Sequence, residues 1–317
     1  MDFVFDETNR RIVSLNISKE KGTTKSSCDQ VEVNALGIVG DAHAGTWHRQ
    51  VSMLAQEDVD RFSSLEAGGK KFRPGEFAEN ITTRGIDFKK VAILDHFKMG
   101  EVELEVTQIG KTCHGGGCAI FEEVGTCVMP KAGIFARTIH GGILHAGNSI
   151  EYHPRPLKIH IITLSDRASK GEYEDRSGLA IQGLLSAHFS GTRWHPVFSA
   201  SLIPDEKEKL LSVLQSNVRD HADVIFTTGG TGIGPRDITP EVIEQFSEKL
   251  IPGIMDFIRM KYGENLPAAL LSRSIAAIKD KTLIFSLPGS VKAVTEYINE
   301  ITKILEHSIL MLHGLSH

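Results

Sequence analysis

At His153–Pro156 the chain reads HPRP, and the arrangement of elements differs on its two sides. Two prolines so close together interrupt any regular element. Beyond them, Leu157–Leu164 (LKIHIITL) is an apolar strand, followed by a helix around Ser177–Ser186, a strand over Trp194–Ile203 and a helix over Glu206–Val218. Ala222–Thr227 (ADVIFT) reads as a buried strand. Thr239-Pro240-Glu241 reads as a helix start, with threonine as cap and proline at the first helical position. After the apolar strand Leu283–Leu287, a last helix carries Val291, Val294, Ile298, Ile301 and Leu305 at three- and four-residue spacing, one buried stripe. Alternating strand and helix predicts a three-layer α/β domain on a mostly parallel sheet.

Residues before the break follow a different pattern. Arg11–Ile17, Val31–Val39, Val91–Leu94, Val102–Thr107 and Gly133–Ile139 are short β-rich runs, and only Leu54–Leu65 reads as a helix. Such a pattern predicts a mainly β domain, a barrel or sandwich. The expected organisation is residues 1–152 as one domain, 153–156 as linker and 157–317 as the second. With 35 Lys+Arg against 40 Asp+Glu, the net charge of −5 gives no basic face for nucleic acid. No apolar run approaches the ~18 residues of a membrane helix. The start, MDFVFDETNR, lacks the apolar core of a signal peptide. The expectation is a cytoplasmic protein with neither a membrane nor a nucleic-acid partner.

The richest segment is Thr227–Pro240, TTGGTGIGPRDITP, directly after a buried strand and leading into a helix. Open α/β sheets bind ligands at this place. Glycines at 229, 230, 232 and 234 let backbone N–H groups approach an anion, and the following helix adds its positive end. No Lys-[Ser/Thr] closes the loop, so it is not a Walker loop, and the spacing is not that of a dinucleotide fingerprint. Asp237 follows the loop, and Asp205 follows Leu202-Ile203-Pro204 at the same expected sheet edge. Each alone is ordinarily a cap or turn residue. Together beside a phosphate loop they suit Mg²⁺, which takes one or two carboxylates plus phosphate oxygens.

From Leu157 onward the chain resembles the MogA/MoaB molybdopterin-binding family. The matching strings are Ser165-Asp166-Arg167, Ile203-Pro204-Asp205-Glu206, TTGGTG at 227–232, Arg236-Asp237-Ile238-Thr239-Pro240, Ile251-Pro252-Gly253, Leu271-Ser272-Arg273 and Leu287-Pro288-Gly289-Ser290. The resemblance implies transfer of AMP from ATP to the terminal phosphate of molybdopterin, with release of pyrophosphate. It assigns Asp205 and Asp237 to the Mg²⁺ and polyphosphate step. Thr228, Gly229, Gly230, Thr231 and Gly232 would cradle phosphate, with Ser165, Asp166 and Arg167 on the nucleotide side. Ser272, Arg273, Pro288, Gly289 and Ser290 would complete the pocket, with Ser274 a weaker candidate. It also implies a trimer or hexamer. Some relatives bind the pterin without known adenylyl transfer, so a carrier or chaperone is the alternative.

Residues 111–130, KTCHGGGCAIFEEVGTCVMP, hold Cys113, Cys118 and Cys127, with Cys28 apart. The residues alone leave three readings open: inert buried thiols, a metal site completed by His114, Cys127 or His43, and a thiolate made accessible by the glycines. Residues from about Ile12 to Tyr152 resemble a MOSC domain, a β-rich module named from molybdenum cofactor sulfurases. The resemblance is carried by GIVGDAHAG at 37–45, RPGEFAENITTRG at 73–85, 110–120 and 141–148. It implies a β-barrel in which one cysteine carries sulfur as a persulfide toward the cofactor, Cys118 first and Cys113 second. Asn80 would touch ligand, and Arg73, Glu79 and His43 would line the pocket. The two halves leave no length for the pyridoxal-phosphate domain of those sulfurases. A separate cysteine desulfurase would load the thiol, and a molybdenum-insertion protein would be a further partner. The expectation is thus a bifunctional molybdenum-cofactor biosynthesis protein: a MOSC domain followed by a molybdopterin adenylyltransferase domain.

Overall fold

A computed structural model describes residues 5–110 and 127–315. The chain divides into two compact units, Met1–Arg155 and Pro156–His317.

The first unit contains β1 (Arg11–Ile17), β2 (Ser26–Cys28), β3 (Gln30–Asn34), β4 (Gly37–Ile38) and β5 (Val51–Ala55). It continues with β6 (Ile81–Arg84), β7 (His96–Met99), β8 (Val102–Ile109), β9 (Ile134–His140), β10 (Gly142–His145) and β11 (Glu151–His153). Eight strands form one half-barrel sheet in the order β11-β7-β8-β9-β5-β6-β1-β2, and β10-β3-β4 form a second. The core joins both sheets through Leu15, Val33, Ile38, Met53, Ile81, Phe88, Phe97, Leu104 and Leu144, all buried. The helix α1 (Gln56–Leu65) begins two residues later than the apolar run suggests, because Val51–Ala55 is spent on β5. A four-residue helix, α2 (Met129–Ala132), precedes β9.

Two expected strands take other forms. Val31–Val39 folds back on itself, with β3 and β4 pairing antiparallel around Ala35-Leu36. Val91–Leu94 is a buried turn: Asp95 accepts the Ala92 N–H at 2.7 Å, and Leu94 sits at φ +74. Its apolar run reflects cover by the rest of the domain, which a turn can share with a strand.

The second unit contains β12 (Pro156–Leu164), α3 (Asp166–Ser169), α4 (Arg176–Phe189), β13 (His195–Ile203), α5 (Lys207–Arg219) and β14 (Val224–Thr228). Then come α6 (Thr239–Phe246), β15 (Lys249–Leu250), α7 (Pro252–Gly263), β16 (Ala276–Lys279), β17 (Thr282–Leu287) and α8 (Val291–Leu312). The sheet order is β13-β12-β14-β17-β16-β15. The first four are mutually parallel, whereas β16 pairs antiparallel with both β17 and β15, so the sheet is mixed, with a parallel heart. β14 and β17 are buried along their whole length, and Phe226 stacks on Phe285 at 5.3 Å. In α8, Val294, Ile298, Ile301 and Leu305 form the buried stripe; Val291, expected in it, is exposed at the helix start.

His160 on β12 is buried, with Nδ1 2.7 Å from Ser199 Oγ and Nε2 3.0 Å from Ser201 Oγ. Burial holds its pKa below the ordinary 6.5. The unfolded chain therefore takes the proton first, so this stability is present above about pH 6.5 and lost as pH falls. Thermal melts between pH 7 and 5 should drop less steeply for His160→Gln than for wild type. Equal slopes would remove His160 from the acid response.

Candidate functional site at the parallel sheet edge

Because β12, β13, β14 and β17 are parallel, their carboxyl ends share one edge, and the segment after each strand arrives there. After β12, Ser165 caps α3, its Oγ accepting the Ala168 N–H at 3.2 Å. The Asp166 N–H donates to Asp205 Oδ2 at 3.1 Å, and the Asp205 N–H donates to Asp166 Oδ1 at 3.2 Å. This reciprocal pair ties the β12 and β13 exits together. Arg236 from the glycine loop is ion-paired with Asp166. Arg167 lies over the Tyr173 ring at 5.2 Å.

The glycine loop leaves β14 with Gly229 and Gly230 at φ +105 and +61, a region L side chains rarely adopt. A side chain at Gly229 would also collide with the Leu164 carbonyl. The loop's carbonyls turn into the domain: Gly229 O accepts Thr239 Oγ1 at 2.9 Å, Gly230 O the Thr239 N–H at 3.1 Å, and Thr231 O the Arg273 N–H at 2.8 Å. Thr239 is thus the first helical residue and ties the helix to the loop; the cap position falls on Ile238. The amides of Gly230, Thr231 and Gly232 have no hydrogen-bond acceptor among the described residues. Backbone N–H groups normally find partners, so three adjacent open donors form an anion-receptive face.

Both aspartates line this loop. A Cβ placed on Gly230 would lie 3.5 Å from Asp205 Oδ1, and one on Gly232 would crowd Asp237 Oδ2 at 2.8 Å. Asp237 Oδ2 accepts the Gly234 N–H at 2.8 Å. One oxygen of each carboxylate is used by the backbone, leaving Oδ1 of each without a partner among the described residues. Burial, reinforced by the charge of Asp237, pushes the Asp205 pKa up. A cation between them would relieve both effects. No group of three or more His, Cys, Asp or Glu able to hold a metal occurs among the described residues. The pair therefore suits an ion that takes its remaining ligands from phosphate and water.

Arg273, expected in the pocket, is a clamp on the loop. Its Nε donates to Gly232 O at 2.6 Å, one terminal nitrogen donates to Asp237 O at 2.8 Å, and the other pairs with Glu241. Ser272 Oγ lies 3.0 Å from Ser274 Oγ and receives the Tyr297 hydroxyl at 3.1 Å. Pro288 O accepts Thr228 Oγ1 at 2.9 Å, and Gly289 sits against Gly229. Ser290 caps α8. Beside the loop, Lys207, Ile233, Gly234, Pro235, Asp237, Ile238, Glu241 and Arg273 line an open cavity of about 410 Å³. Lys207 is absent from the sequence motifs; its signal is its position two residues after Asp205, opening a helix at the same edge.

In the first unit, Cys113, Cys118 and His114 lie outside the described residues. Cys127 is buried, and burial raises the pKa of half-buried Cys28, so neither is a ready thiolate. Asn80 has no exposed surface: its Oδ1 accepts Ser52 N–H at 3.1 Å and Ser52 Oγ at 3.0 Å, and its Nδ2 donates to Asn16 O at 3.2 Å. Instead of the expected ligand contact, Asn80 in this conformation is a strut between strands. Glu79 is likewise buried, and burial raises its pKa despite bonds from Gly75 N–H and Thr82 Oγ1. Arg73 is solvent-facing. Behind them lies a fully buried ion pair, Lys25 Nζ–Asp41 Oδ2 at 2.5 Å, with His43 Nδ1 3.3 Å from the ammonium. Burial alone would raise Asp41, but hydrogen bonds from His43 and Lys25 outweigh it and hold the carboxylate well below its ordinary range.

A glycine loop with open amides and two partly unsatisfied carboxylates thus meet at the edge of the parallel sheet of an α/β domain. Residues 160–307 match the family model described as "Probable molybdopterin binding domain", and residues 40–151 match the MOSC domain model. A molybdopterin adenylyltransferase of Helicobacter pylori is 36% identical over 160 residues, which is half of this chain and 89% of that protein. One from Pyrococcus furiosus is 36% identical over 163 residues, 49% of this chain and 93% of that protein. The crystal structure of MoaB from Thermus thermophilus, titled a molybdopterin biosynthesis enzyme, is 33% identical with a TM-score of 0.45, covering 50% of this chain and 97% of that one. Through its second unit the chain belongs to the molybdopterin-binding domain family that includes the molybdopterin adenylyltransferases, and it carries a MOSC domain ahead of that module. No helix among the described residues is long and apolar enough to cross a membrane.

Proposed function

We propose that the second unit is a Mg²⁺-dependent molybdopterin adenylyltransferase serving molybdenum-cofactor biosynthesis. The observation that carries this reading is the open amide face at Gly230–Gly232 set beside the Asp205/Asp237 pair. A terminal phosphate oxygen of molybdopterin attacks the α-phosphorus of ATP; the bond from that phosphorus to the β-bridging oxygen breaks, and pyrophosphate leaves. The nucleophile is already an anion, so no general base is required, and the work is to hold polyanions in line. The loop amides bind phosphate oxygens, with Arg273 and Thr239 fixing the loop. Asp205 and Asp237 would hold Mg²⁺, which neutralises the polyphosphate when bound. The Asp166–Asp205 reciprocal bonds orient the first carboxylate, and Ser165 sets the turn beside it. Ser272 and the Pro288–Ser290 turn close the pterin side. Pyrophosphate release that requires ATP, molybdopterin and Mg²⁺ together tests the reading; ATP left intact under those conditions makes the domain a carrier.

For the MOSC unit, the proposal is that Cys118, loaded by a separate desulfurase, passes sulfur toward the cofactor. Cys118→Ala should then remove the extra sulfur from the intact-protein mass after incubation with a desulfurase and cysteine. If the sulfur persists in that variant, the carrier is Cys113 or Cys127.

A further inference from the structure

We propose that Lys207 receives the β- and γ-phosphates of the nucleotide in the cavity beside the glycine loop, and keeps hold of the pyrophosphate as it departs. The inference rests on the adenylyltransferase reading and names a residue that the family motifs do not include.

Arg273 has its guanidinium spent on Gly232 O, Asp237 O and Glu241, and Arg236, in the same loop but outside the cavity lining, is ion-paired with Asp166. Asp237 carries one negative charge on the same wall. Lys207 is exposed, lines the cavity, and its ammonium makes no hydrogen bond or ion pair among the described residues. Glu241 is held below its ordinary pKa first by the Arg273 bond and, more weakly, by the charges of Arg273 and Lys207, so Lys207 lies within electrostatic reach of that pair. Lys207 and Arg273 balance Asp237 and Glu241 in formal charge, and Lys207 is the cation of the four whose charged group makes no bond among the described residues and can move to a ligand.

Geometry points the same way. Asp205 lies two residues before Lys207, and Asp237 of the carboxylate pair lines the same cavity as Lys207. The cavity of about 410 Å³ has room for two further phosphoryl groups, and Ile233, Gly234, Pro235, Asp237 and Ile238 of the loop line it together with Lys207. An ammonium on a flexible stem can follow pyrophosphate outward as the bond to the α-phosphorus breaks, which the clamped guanidinium of Arg273 cannot do.

The test is calorimetric titration of magnesium pyrophosphate into the full chain, set beside the KM for ATP in the transferase assay. Lys207→Ala should weaken pyrophosphate binding about tenfold, the loss expected for one charge-assisted contact, and raise the KM for ATP similarly. Lys207→Arg should recover most of both. Lys209→Ala removes the same charge about 200° round the helix and should change neither by more than about twofold. Equal effects of Lys207→Ala and Lys209→Ala would overturn the proposal, as would wild type that fails to bind magnesium pyrophosphate. If wild type binds it with Lys207 dependence but transfers no adenylyl group, the transferase reading fails while the polyphosphate site stands.

Discussion

Asp205→Asn is expected to leave molybdopterin binding within about threefold of wild type and to lower adenylyl transfer by at least ~100-fold, the scale of removing one preorganised electrostatic group from a transition state. Asparagine is close in shape, and its oxygen can still accept the Asp166 N–H, so the tie between the β12 and β13 exits survives. What disappears is the charge. Asp205 is partly buried and repelled by Asp237, a cost that a phosphate-bound cation offsets. On the proposed reading, removing it would weaken the hold on that cation while the loop amides remain open to phosphate. The two effects are separable: pterin binding by fluorescence titration, and turnover by pyrophosphate release. Parallel loss of both would show that Asp205 holds the edge together and does not serve the reaction.

The second large effect belongs to the first unit. Lys25→Ala leaves the Asp41 carboxylate buried, with its ammonium partner gone. Breaking a buried pair on one side costs ~3–5 kcal/mol. The double variant Lys25→Met/Asp41→Leu removes both charges and should recover most of that loss. Trp47, within the first unit and stacked on His43, reports the transition in a Trp194→Phe background, since the chain has two tryptophans. Denaturant unfolding read from that fluorescence measures both variants. A loss under about 1 kcal/mol for Lys25→Ala, well short of the one-sided cost, would mean that the carboxylate is rehydrated or protonated with little penalty, and that the pair is no keystone.

What the sequence disclosed follows from which forces are local. LKIHIITL, ADVIFT and TLIFSL are near-continuous apolar runs, and only a strand covered on both faces tolerates that pattern; these became the parallel heart of the sheet. The glycine loop was legible because positive φ at Gly229 and Gly230 is a property of the residue type. Long-range roles were not. Arg273 reads as a ligand-binding cation, yet its guanidinium is consumed by carbonyls and a carboxylate from the loop and α6, which no spacing reveals. Asn80 likewise reads as a polar contact, but its partners are Ser52 and Asn16, far away in the chain. Val91–Leu94 is apolar because it is covered, and burial alone does not distinguish turn from strand. Thr239 reads as a cap, but the nearby Gly229 carbonyl takes its hydroxyl instead.

The central claim is that the second unit moves an adenylyl group onto molybdopterin. Mass analysis of the pterin after incubation of the full chain with molybdopterin, ATP and Mg²⁺ tests it directly. The account predicts adenylated molybdopterin in amounts matching the pyrophosphate released. Unmodified pterin recovered bound to folded protein, with ATP intact, would contradict it.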